Sequence, residues 1–306
     1  MPCYHPLPAW YGKERNASGK RPLVFSLAEA FKDRPVSLPC GRCIGCRLEY
    51  ARQWAVRCMH EASLWDSNRF VTLTYEESKL PKVGDVATLR PRDMVLFLKR
   101  LRKRYGTGIR FFQCGEYGEE LSRPHHHALL FNCSFSDERL HSGSGEAKLY
   151  VSDELSKLWG HGFAVIGDVT FESAGYVARY SLKKVRGFHA DKHYGGRVPE
   201  YLTMSRRPGV GHSWIHRFAA DVYPSDELVV NGHITKPPRY YDDVVAKLRP
   251  GMLDRIKRKR RAAGYNDADL TNPKANGTGK RLLVREVVKD SATSFLSRKY
   301  EVDNGS

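Results

Sequence analysis

Residues 110–131 read R-F-F-Q-C-G-E-Y-G-E-E-L-S-R-P-H-H-H-A-L-L-F, and this stretch decides which kind of fold the chain can form. Residues 110–114 are mainly apolar and aromatic, and residues 125–131 end in an unbroken apolar run. Glycine and proline lie between the two runs, as they do in connections between neighbouring strands. The stretch therefore predicts a pair of antiparallel strands, and the second strand begins with three histidines.

The three histidines are predicted to face opposite sides of that strand. Because side chains alternate along a strand, His125 and His127 share one face, about 6.6 Å apart, and His126 faces away. A hairpin brings the end of the first strand alongside, where Glu116 is the nearest carboxylate. Two imidazoles and one carboxylate can hold a divalent metal and leave positions open for substrate oxygens. The alternative is a solvated histidine tract on an edge strand.

The neighbouring segments extend this hairpin into a larger sheet. Residues 69–75, R-F-V-T-L-T-Y, predict a strand before it, and Pro91 begins a helix with one apolar stripe. Residues 152–159 predict a short helix that ends before Gly160, and residues 163–169 predict another strand. The order strand, helix, strand, strand, helix, strand predicts an α+β fold: a ferredoxin-like, split βαβ antiparallel sheet with helices on one face.

A cluster of cysteines precedes this core. The segment P-C-G-R-C-I-G-C-R spaces three cysteines two residues apart, at Cys40, Cys43 and Cys46. The chain has seven cysteines, an odd number without a secretory signal, so disulfides are not expected. A structural zinc site completed by Cys3 or Cys58 is one interpretation. An iron–sulfur run would need a further cysteine where the chain has Tyr50, and reduced cysteines in a tight turn are the third possibility.

The length and composition predict one core domain with appended segments. A chain of 306 residues with 41% hydrophobic content can form a domain of about 150 to 200 residues. We expect a basic N-terminal arm, the cysteine cluster and a helix in residues 1–66, and the core in residues 67–186. Residues 187–306 are expected to form a basic region that is loosely ordered in part.

The charge balance points to a polyanionic partner. Lys and Arg number 51 against 34 Asp and Glu, which gives a formal net charge of +17. Nucleic acid is the partner expected of such a chain. No apolar stretch approaches the roughly 18 residues of a membrane span and no signal peptide begins the chain, so we expect a cytoplasmic protein without a membrane partner.

A helix that carries two tyrosines follows the predicted sheet. Residues 172–184 read E-S-A-G-Y-V-A-R-Y-S-L-K-K, and the four-residue spacing of Tyr176 and Tyr180 places both phenols on one helix face. Arg179 and Lys183 each follow a tyrosine by three residues. A helix that packs two aromatic side chains against the sheet is the alternative interpretation.

Taken in chain order, the F-V-T-L-T-Y strand, the H-H-H strand and the Y-x3-Y helix resemble the HUH endonuclease superfamily. They are close to the rolling-circle replication initiators of small single-stranded DNA phages, the microviruses of the gokushovirus type. The resemblance covers roughly residues 3–211 and includes the motifs P-C-G-R-C-I-G-C-R, C-G-E-Y-G-E, R-P-H-H-H-A-L-L-F, Y-V-A-R-Y-S-L-K-K and M-S-R-R-P-G. It implies a site-specific single-stranded DNA endonuclease that nicks and joins DNA at a replication origin.

The resemblance also implies a metal site and partners. His125 and His127 would be metal ligands and Glu116 the third ligand, around Mg²⁺ or Mn²⁺ that polarises the scissile phosphate. The middle residue, His126, departs from the family pattern, in which this position is usually hydrophobic, and would either compete for the metal or face solvent. The implied partners are the single-stranded viral origin, a host helicase and a host polymerase.

In such enzymes a tyrosine attacks the phosphate and forms a 5′-phosphotyrosine intermediate. Two tyrosines, Tyr176 and Tyr180, would let one hold the DNA end while the other makes the second cut. A free tyrosine has a pKa near 10, so it needs help to attack at neutral pH. Lys183, with Arg179 as a second cation, would supply that help. Arginine stands where the family often has lysine and stays protonated, so proton handling falls on Lys183.

Three other functions remain open from the sequence. A plasmid relaxase places its tyrosine before the histidines, whereas this chain has the reverse order. A two-tyrosine HUH transposase keeps the order seen here, although a longer chain is expected of it. A non-catalytic, zinc-containing nucleic-acid-binding module would fit the charge balance equally well.

Overall fold

The computed structural model describes residues 3–17, 19–118, 121–144, 148–180, 184–185, 187, 189–266 and 278–294. Of residues 34, 180, 261, 263–266 and 294 it describes the backbone alone. The described residues divide into two compact units. Among the described residues, the larger unit contains 51–258, and the smaller unit contains those before 51 together with those from 259 to 294.

The strands, numbered in chain order, are β1 (Leu7–Gly12), β2 (Leu23–Val24), β3 (Ala30–Leu38), β4 (Asn68–Thr74), β5 (Lys82–Val83), β6 (Val86–Ala87), β7 (Arg110–Tyr117), β8 (Pro124–Phe131), β9 (Arg139–Ser142), β10 (Leu149–Val151), β11 (Ala164–Gly167), β12 (Tyr201–Met204), β13 (Leu228–Val230) and β14 (His233–Thr235). The helices are α1 (Ile44–Ala62), α2 (Pro91–Tyr105), α3 (Asp153–Trp159), α4 (Phe171–Tyr180), α5 (Ala190–Tyr194), α6 (His212–Val222), α7 (Arg239–Leu248), α8 (Pro250–Asn266) and α9 (Gly279–Ser294).

A seven-stranded sheet is the centre of the larger unit. Its strand order is β12-β7-β8-β4-β11-β10-β9, and every neighbouring pair is antiparallel. The four strands β7-β8-β4-β11 and the helices α2 and α3 follow the chain order strand, helix, strand, strand, helix, strand. The predicted α+β class with a ferredoxin-like antiparallel sheet is therefore confirmed.

Both faces of this sheet are apolar, because alternate side chains of each strand point to opposite sides. On one face, Leu73 and Leu130 pack with Phe97 of α2 and Trp159 of α3. The two helices of the predicted β-α-β-β-α-β unit thus lie on one face, as expected. The other face carries apolar side chains such as Phe131, and α1 and α4 cover it in a second core.

A third core joins α6 and α7 within the larger unit. Ile215 and Tyr223 pack there with Tyr241 and Val245, and all four side chains are buried. The short hairpin β13-β14 lies nearby in the chain, and its two connecting residues, Asn231 and Gly232, both have positive φ, as a two-residue hairpin turn requires. Within the described part of the chain, no helix combines the length and the hydropathy that a membrane-spanning helix requires.

The smaller unit contains a three-stranded antiparallel sheet in the order β2-β1-β3. These strands occupy the segment expected to be a basic N-terminal arm. The pairing lines up Pro8 with Ser37 and Trp10 with Pro35, and the register shifts between Trp10 and Gly12. In the C-terminal region, α9 is described, whereas residues 267–277 and 295–306 lie outside the described residues. The division into residues 1–66, 67–186 and 187–306 stays a prediction.

Candidate metal centre and tyrosine helix

The strand pairing brings the predicted metal ligands to one place. Strand β8 lies between β7 and β4, so the histidines are in the middle of the sheet and the alternative of an edge-strand tract is wrong. In the β7-β8 pair, Glu116 lies directly opposite His125. In the β8-β4 pair, Thr72 lies opposite His127. Because side chains alternate, Glu116, His125 and His127 emerge on the same face of the sheet.

The three ligand atoms lie within 4.8 Å of one another. Oε1 of Glu116 is 3.0 Å from Nε2 of His125 and 2.8 Å from Nε2 of His127. The side chains of Glu116 and His127 are buried, and that of His125 is 14% exposed. The three-point arrangement predicted from the sequence is thus formed, and it opens toward solvent at His125.

The donor set of this group suits a divalent cation. Oε2 of Glu116 is buried and has no hydrogen-bond partner among the described residues. A buried carboxylate oxygen without a partner is costly, and a metal ion removes that cost. Burial alone would raise the pKa of Glu116, but hydrogen bonds from His125 and His127 hold that pKa below its usual value. The carboxyl group is therefore charged, as a metal ligand must be.

Neighbouring groups orient both imidazoles. Nδ1 of His125 donates to the backbone carbonyl of Arg123 at 3.1 Å, and Nδ1 of His127 lies 2.9 Å from the hydroxyl of Thr72. Each ring therefore directs Nε2 toward Glu116. Metal-binding histidines commonly use one nitrogen for the metal and the other for such a partner. The ring of Phe70 stacks on that of His127 at a centroid distance of 5.5 Å and fixes its plane.

Helix α4 brings a tyrosine to this group. The helix begins after Thr170, whose hydroxyl accepts the N–H of Ser173 at 3.1 Å, while the hydroxyl of Ser173 accepts the N–H of Thr170 at 2.9 Å. Such a reciprocal pair satisfies N–H groups that a helix start leaves without partners. One and a half turns on, the ring of Tyr176 meets the ring of His127 edge-on, with centroids 5.1 Å apart. Tyr176 is 2% exposed.

The other predicted residues of the tyrosine helix are described less fully. Arg179 lies in the last turn of α4 and is partly exposed. Tyr180 ends the helix, and its backbone is described but its side chain is not. Lys183 lies outside the described residues. The proposed roles of these three residues stay predictions.

The middle histidine belongs to a different environment on the opposite face. His126 is fully buried, with Nε2 3.1 Å from the hydroxyl of Tyr75 and Nδ1 3.2 Å from the hydroxyl of Tyr201. The hydroxyl of Tyr75 donates to the buried carboxylate of Asp93 at 3.1 Å. Burial lowers the pKa of His126 to about 3, so the ring is neutral. The expectation that His126 competes for the metal or faces solvent is therefore wrong.

Sequence reasoning missed several residues that support the site. Thr72 and Phe70 belong to the predicted strand, but only the register of β4 against β8 shows that both contact His127. One of these contacts could be anticipated from strand alternation. Tyr75 follows Leu73 by two residues, so both side chains are expected on the same face of the sheet, the one opposite the proposed metal ligands. Tyr201 comes from β12, which pairs with β7, and no local pattern indicated that pairing.

The cysteine cluster forms in the smaller unit. The sulfur atoms of four residues lie within 4.8 Å of one another, and these are Cys3, Cys40, Cys43 and Cys46. Cys58 instead is buried in the core of the larger unit, where it packs against the sheet. Of the two candidates for the fourth position, the structure therefore selects Cys3.

Comparison with known proteins gives one family. The family model for the replication-associated protein ORF2/G2P matches residues 68–185. The chain is 35% identical over 263 residues to the replication-associated protein VP4 of Bdellovibrio phage phiMH2K, which covers 82% of this chain and 79% of that protein.

Two further relatives carry similar descriptions. Identity is 33% over 240 residues with the replication-associated protein ORF2 of Spiroplasma virus 4, which covers 73% of each chain. Identity is 31% over 224 residues with the replication-associated protein ORF4 of Chlamydia phage 1, covering 69% of this chain and 54% of that one. No solved structure matches the chain.

Proposed function

The chain belongs to the replication-associated proteins of the microviruses, and from that premise we propose that it starts rolling-circle replication by nicking and joining single-stranded DNA at the viral origin. One observation carries the proposal: the ring of Tyr176 lies 5.1 Å from that of His127, beside a group of two imidazoles and a carboxylate. A nucleophile and a set of metal ligands are the two parts that phosphoryl transfer to a tyrosine needs.

The proposed cofactor is Mg²⁺ or Mn²⁺, held by Glu116, His125 and His127. When bound, the cation would supply positive charge that polarises the scissile phosphate. The residues themselves are suited to this task, because Thr72 and the carbonyl of Arg123 hold the imidazole planes before any ligand arrives. The exposure of His125 leaves an approach for a phosphate from the solvent side.

In the nicking step, the oxygen of Tyr176 attacks the phosphorus of the scissile phosphate. The tyrosine O–P bond forms, the P–O3′ bond breaks, and the departing 3′ oxygen takes up a proton to become a hydroxyl. The phenol loses its own proton, and because its ordinary pKa is near 10, neighbouring cations must favour that loss. Arg179 supplies fixed charge but cannot accept the proton, so we assign proton transfer to Lys183.

In the joining step, a free 3′-hydroxyl attacks the phosphotyrosine. A new P–O3′ bond forms, the tyrosine O–P bond breaks, and the hydroxyl proton passes to the phenol that leaves. We propose Tyr180 as the second nucleophile, because it follows Tyr176 by one turn of α4. It would cut the next origin while Tyr176 still holds the first DNA end.

The net charge of +17 supports binding to the DNA backbone. Basic side chains that neutralise phosphates release counterions, so binding should weaken as the salt concentration rises. The single-stranded viral origin is the proposed substrate. The proposed partners after the nick are a host helicase, which unwinds the DNA, and a host polymerase, which extends it.

Covalent capture tests the proposal. The protein is incubated with Mn²⁺ and labelled single-stranded oligonucleotides that tile the genome encoding it, and adducts are separated on a denaturing gel. We expect one origin segment to give a protein–DNA adduct. The adduct should disappear in the double variant Tyr176→Phe/Tyr180→Phe and persist in Tyr150→Phe, which changes a partly buried tyrosine of β10 outside the site.

An adduct that survives the double variant would overturn the assignment of the nucleophiles. DNA binding without an adduct in any segment, from protein that binds Mn²⁺, would overturn nicking and favour the non-catalytic nucleic-acid-binding module. Mass spectrometry of the digested adduct identifies the modified tyrosine directly.

A further inference from the structure

The four clustered cysteines have the spacing of ligands around a single ion. The sulfur atoms of Cys40 and Cys46 are 4.0 Å apart, and those of Cys3 and Cys43 are also 4.0 Å apart. These two pairs share no atom, so they correspond to opposite edges of a tetrahedron. Four thiolates bound to zinc at about 2.3 Å lie about 3.8 Å from one another. All four cysteines are free thiols in the structure.

Backbone N–H groups point at these sulfur atoms. The sulfur of Cys40 accepts from the amides of Arg42 and Cys43, each at 3.4 Å. The sulfur of Cys3 accepts from the amide of Cys40 at 3.2 Å, and that of Cys43 from the amide of Tyr4 at 3.3 Å. Such donors stabilise the thiolate form. Four thiolates this close repel one another unless a cation lies between them.

We propose that Cys3, Cys40, Cys43 and Cys46 bind one structural Zn²⁺ that holds the N-terminal segment against the beginning of α1. Tetrahedral sulfur sites select zinc or iron, and a site with four protein ligands is closed to substrate. An iron–sulfur cluster contains several irons and needs its cysteine sulfurs farther apart than a single ion does. The spacing within 4.8 Å therefore fits a single ion and not a cluster, and zinc is the ion that structural sites of four cysteines commonly bind.

In the described part of the smaller unit, few apolar side chains are buried. Among its described residues, the buried hydrophobic side chains are Tyr4, Ala9, Ala30 and Cys43. Large apolar side chains of the same segment are exposed instead, namely Leu7, Tyr11, Leu23, Phe25 and Leu27. A small sheet with so thin a core commonly depends on a metal or another crosslink. Cys3 precedes β1 and Cys40 follows β3, so the proposed ion would close the segment that contains the whole sheet.

Metal analysis of the full-length protein tests this inference. We expect about one zinc per chain and no acid-labile sulfide, as a Cys₄ site for one ion requires. Cys3→Ala and Cys43→Ala should each lose the zinc, whereas Cys58→Ala should retain it, because Cys58 lies in the core of the larger unit. His127→Ala should also retain the zinc, which separates this site from the one proposed for catalysis.

A variant that fails to fold would also lose its zinc, so two further measurements use the unmutated chain. Protein prepared with Co²⁺ should show the thiolate charge-transfer and ligand-field absorption of a tetrahedral sulfur site. Removal of the metal should make residues before 51 sensitive to protease while residues 51–258 remain resistant. Zinc that stays in Cys3→Ala, zinc lost from His127→Ala, or iron with labile sulfide would each overturn the proposal.

Discussion

On one face of β8, His125 and His127 meet the carboxylate of Glu116, and His125 keeps contact with solvent. On the other face, His126 is fully buried between the hydroxyls of Tyr75 and Tyr201. The three residues are chemically identical and adjacent in the chain. Their surroundings differ because the strand directs alternate side chains to opposite faces of the sheet.

The three histidines differ in which of their ring nitrogens already have hydrogen-bond partners that exclude a ligand. Because Tyr75 donates its proton to Asp93, its oxygen accepts the N–H at Nε2 of His126, and Tyr201 donates to Nδ1. His126 therefore has no lone pair left for a ligand. His125 and His127 use Nδ1 for the carbonyl of Arg123 and the hydroxyl of Thr72, and direct Nε2 to the shared carboxylate. Adjacent histidines of one strand can thus be available to bind a ligand on one face of the sheet and stabilise the fold on the other.

His127→Ala should produce the largest effect, on the metal face. We expect adduct formation to fall by at least about a hundredfold, because even the outer partner of a metal-binding histidine contributes about 10- to 100-fold. Binding of single-stranded DNA should change little, since His127 is buried and basic side chains carry that binding. Gel analysis of adducts and a binding titration measure the two effects.

The matched control for this variant is His141→Ala, because His141 is an exposed histidine on β9 of the same sheet. Its adduct yield should equal that of the unmutated protein. If His127→Ala abolished DNA binding as well, the histidine would act in the fold or in DNA contact, and the contrast between the two faces of β8 would fail.

His126→Ala should give the complementary result. The change removes a buried ring and leaves two phenol groups without their partner, so the free energy of unfolding should fall by about 2 to 4 kcal/mol. Mn²⁺ affinity of the folded protein should stay within a factor of about two, since the ring lies on the opposite face. Urea unfolding and calorimetric titration measure the two quantities. A large loss of Mn²⁺ affinity with unchanged stability would contradict the assignment.

The fold was predictable where the sequence pattern is periodic. Strand alternation, the apolar stripe of α2 and the glycine and proline positions gave the order of elements in the sheet. Pairing of β7 with β8 also followed from the short connection, and it placed Glu116 beside His125. The position of Glu116 beside the histidines could therefore be predicted from the local sequence alone.

Contacts between distant segments were not predictable from one sequence. The network of His126 joins Tyr75, which directly follows β4, to residues of α2, β8 and β12, and no periodicity indicates which of these side chains meet. Cys3 and Cys58 were both candidates for the fourth ligand, and only the fold excludes Cys58. The N-terminal sheet was missed because prolines and basic residues interrupt its alternation, as at Pro8 and Pro35.

Thr72→Val should have a smaller effect, again on the metal face. Valine keeps the shape of threonine but removes the hydroxyl 2.9 Å from Nδ1 of His127. We expect Mn²⁺ affinity to fall by about 10- to 100-fold. Thr74→Val is the matched control, because its hydroxyl donates to the carbonyl of Phe163 on the same face of β4. Equal losses of affinity in the two variants would show that general packing, and not the orientation of His127, sets metal binding.

The smallest effect concerns His60, which belongs neither to the group of proposed metal ligands nor to the hydrogen-bond network of His126. Its role resembles that of His126. Its ring stacks on that of Trp214 with centroids 3.5 Å apart, and Nδ1 lies 2.8 Å from the hydroxyl of Tyr241.

Burial lowers the pKa of His60 to about 4, against an ordinary value of 6.5. Its stabilising contribution is therefore present above pH 6.5 and is lost as the pH falls toward 4, because the unfolded chain binds the proton first. Because one ring takes up one proton, the slope cannot exceed about 1.4 kcal/mol per pH unit, and the partial exposure of the ring reduces the total effect. In His60→Gln, urea unfolding between pH 7 and pH 4 should show a shallower loss of stability, whereas His141→Gln should match the unmutated protein. Equal slopes in all three proteins would show that His60 gains its proton as readily in the fold as in the unfolded chain, and burial would then not be what keeps such rings neutral.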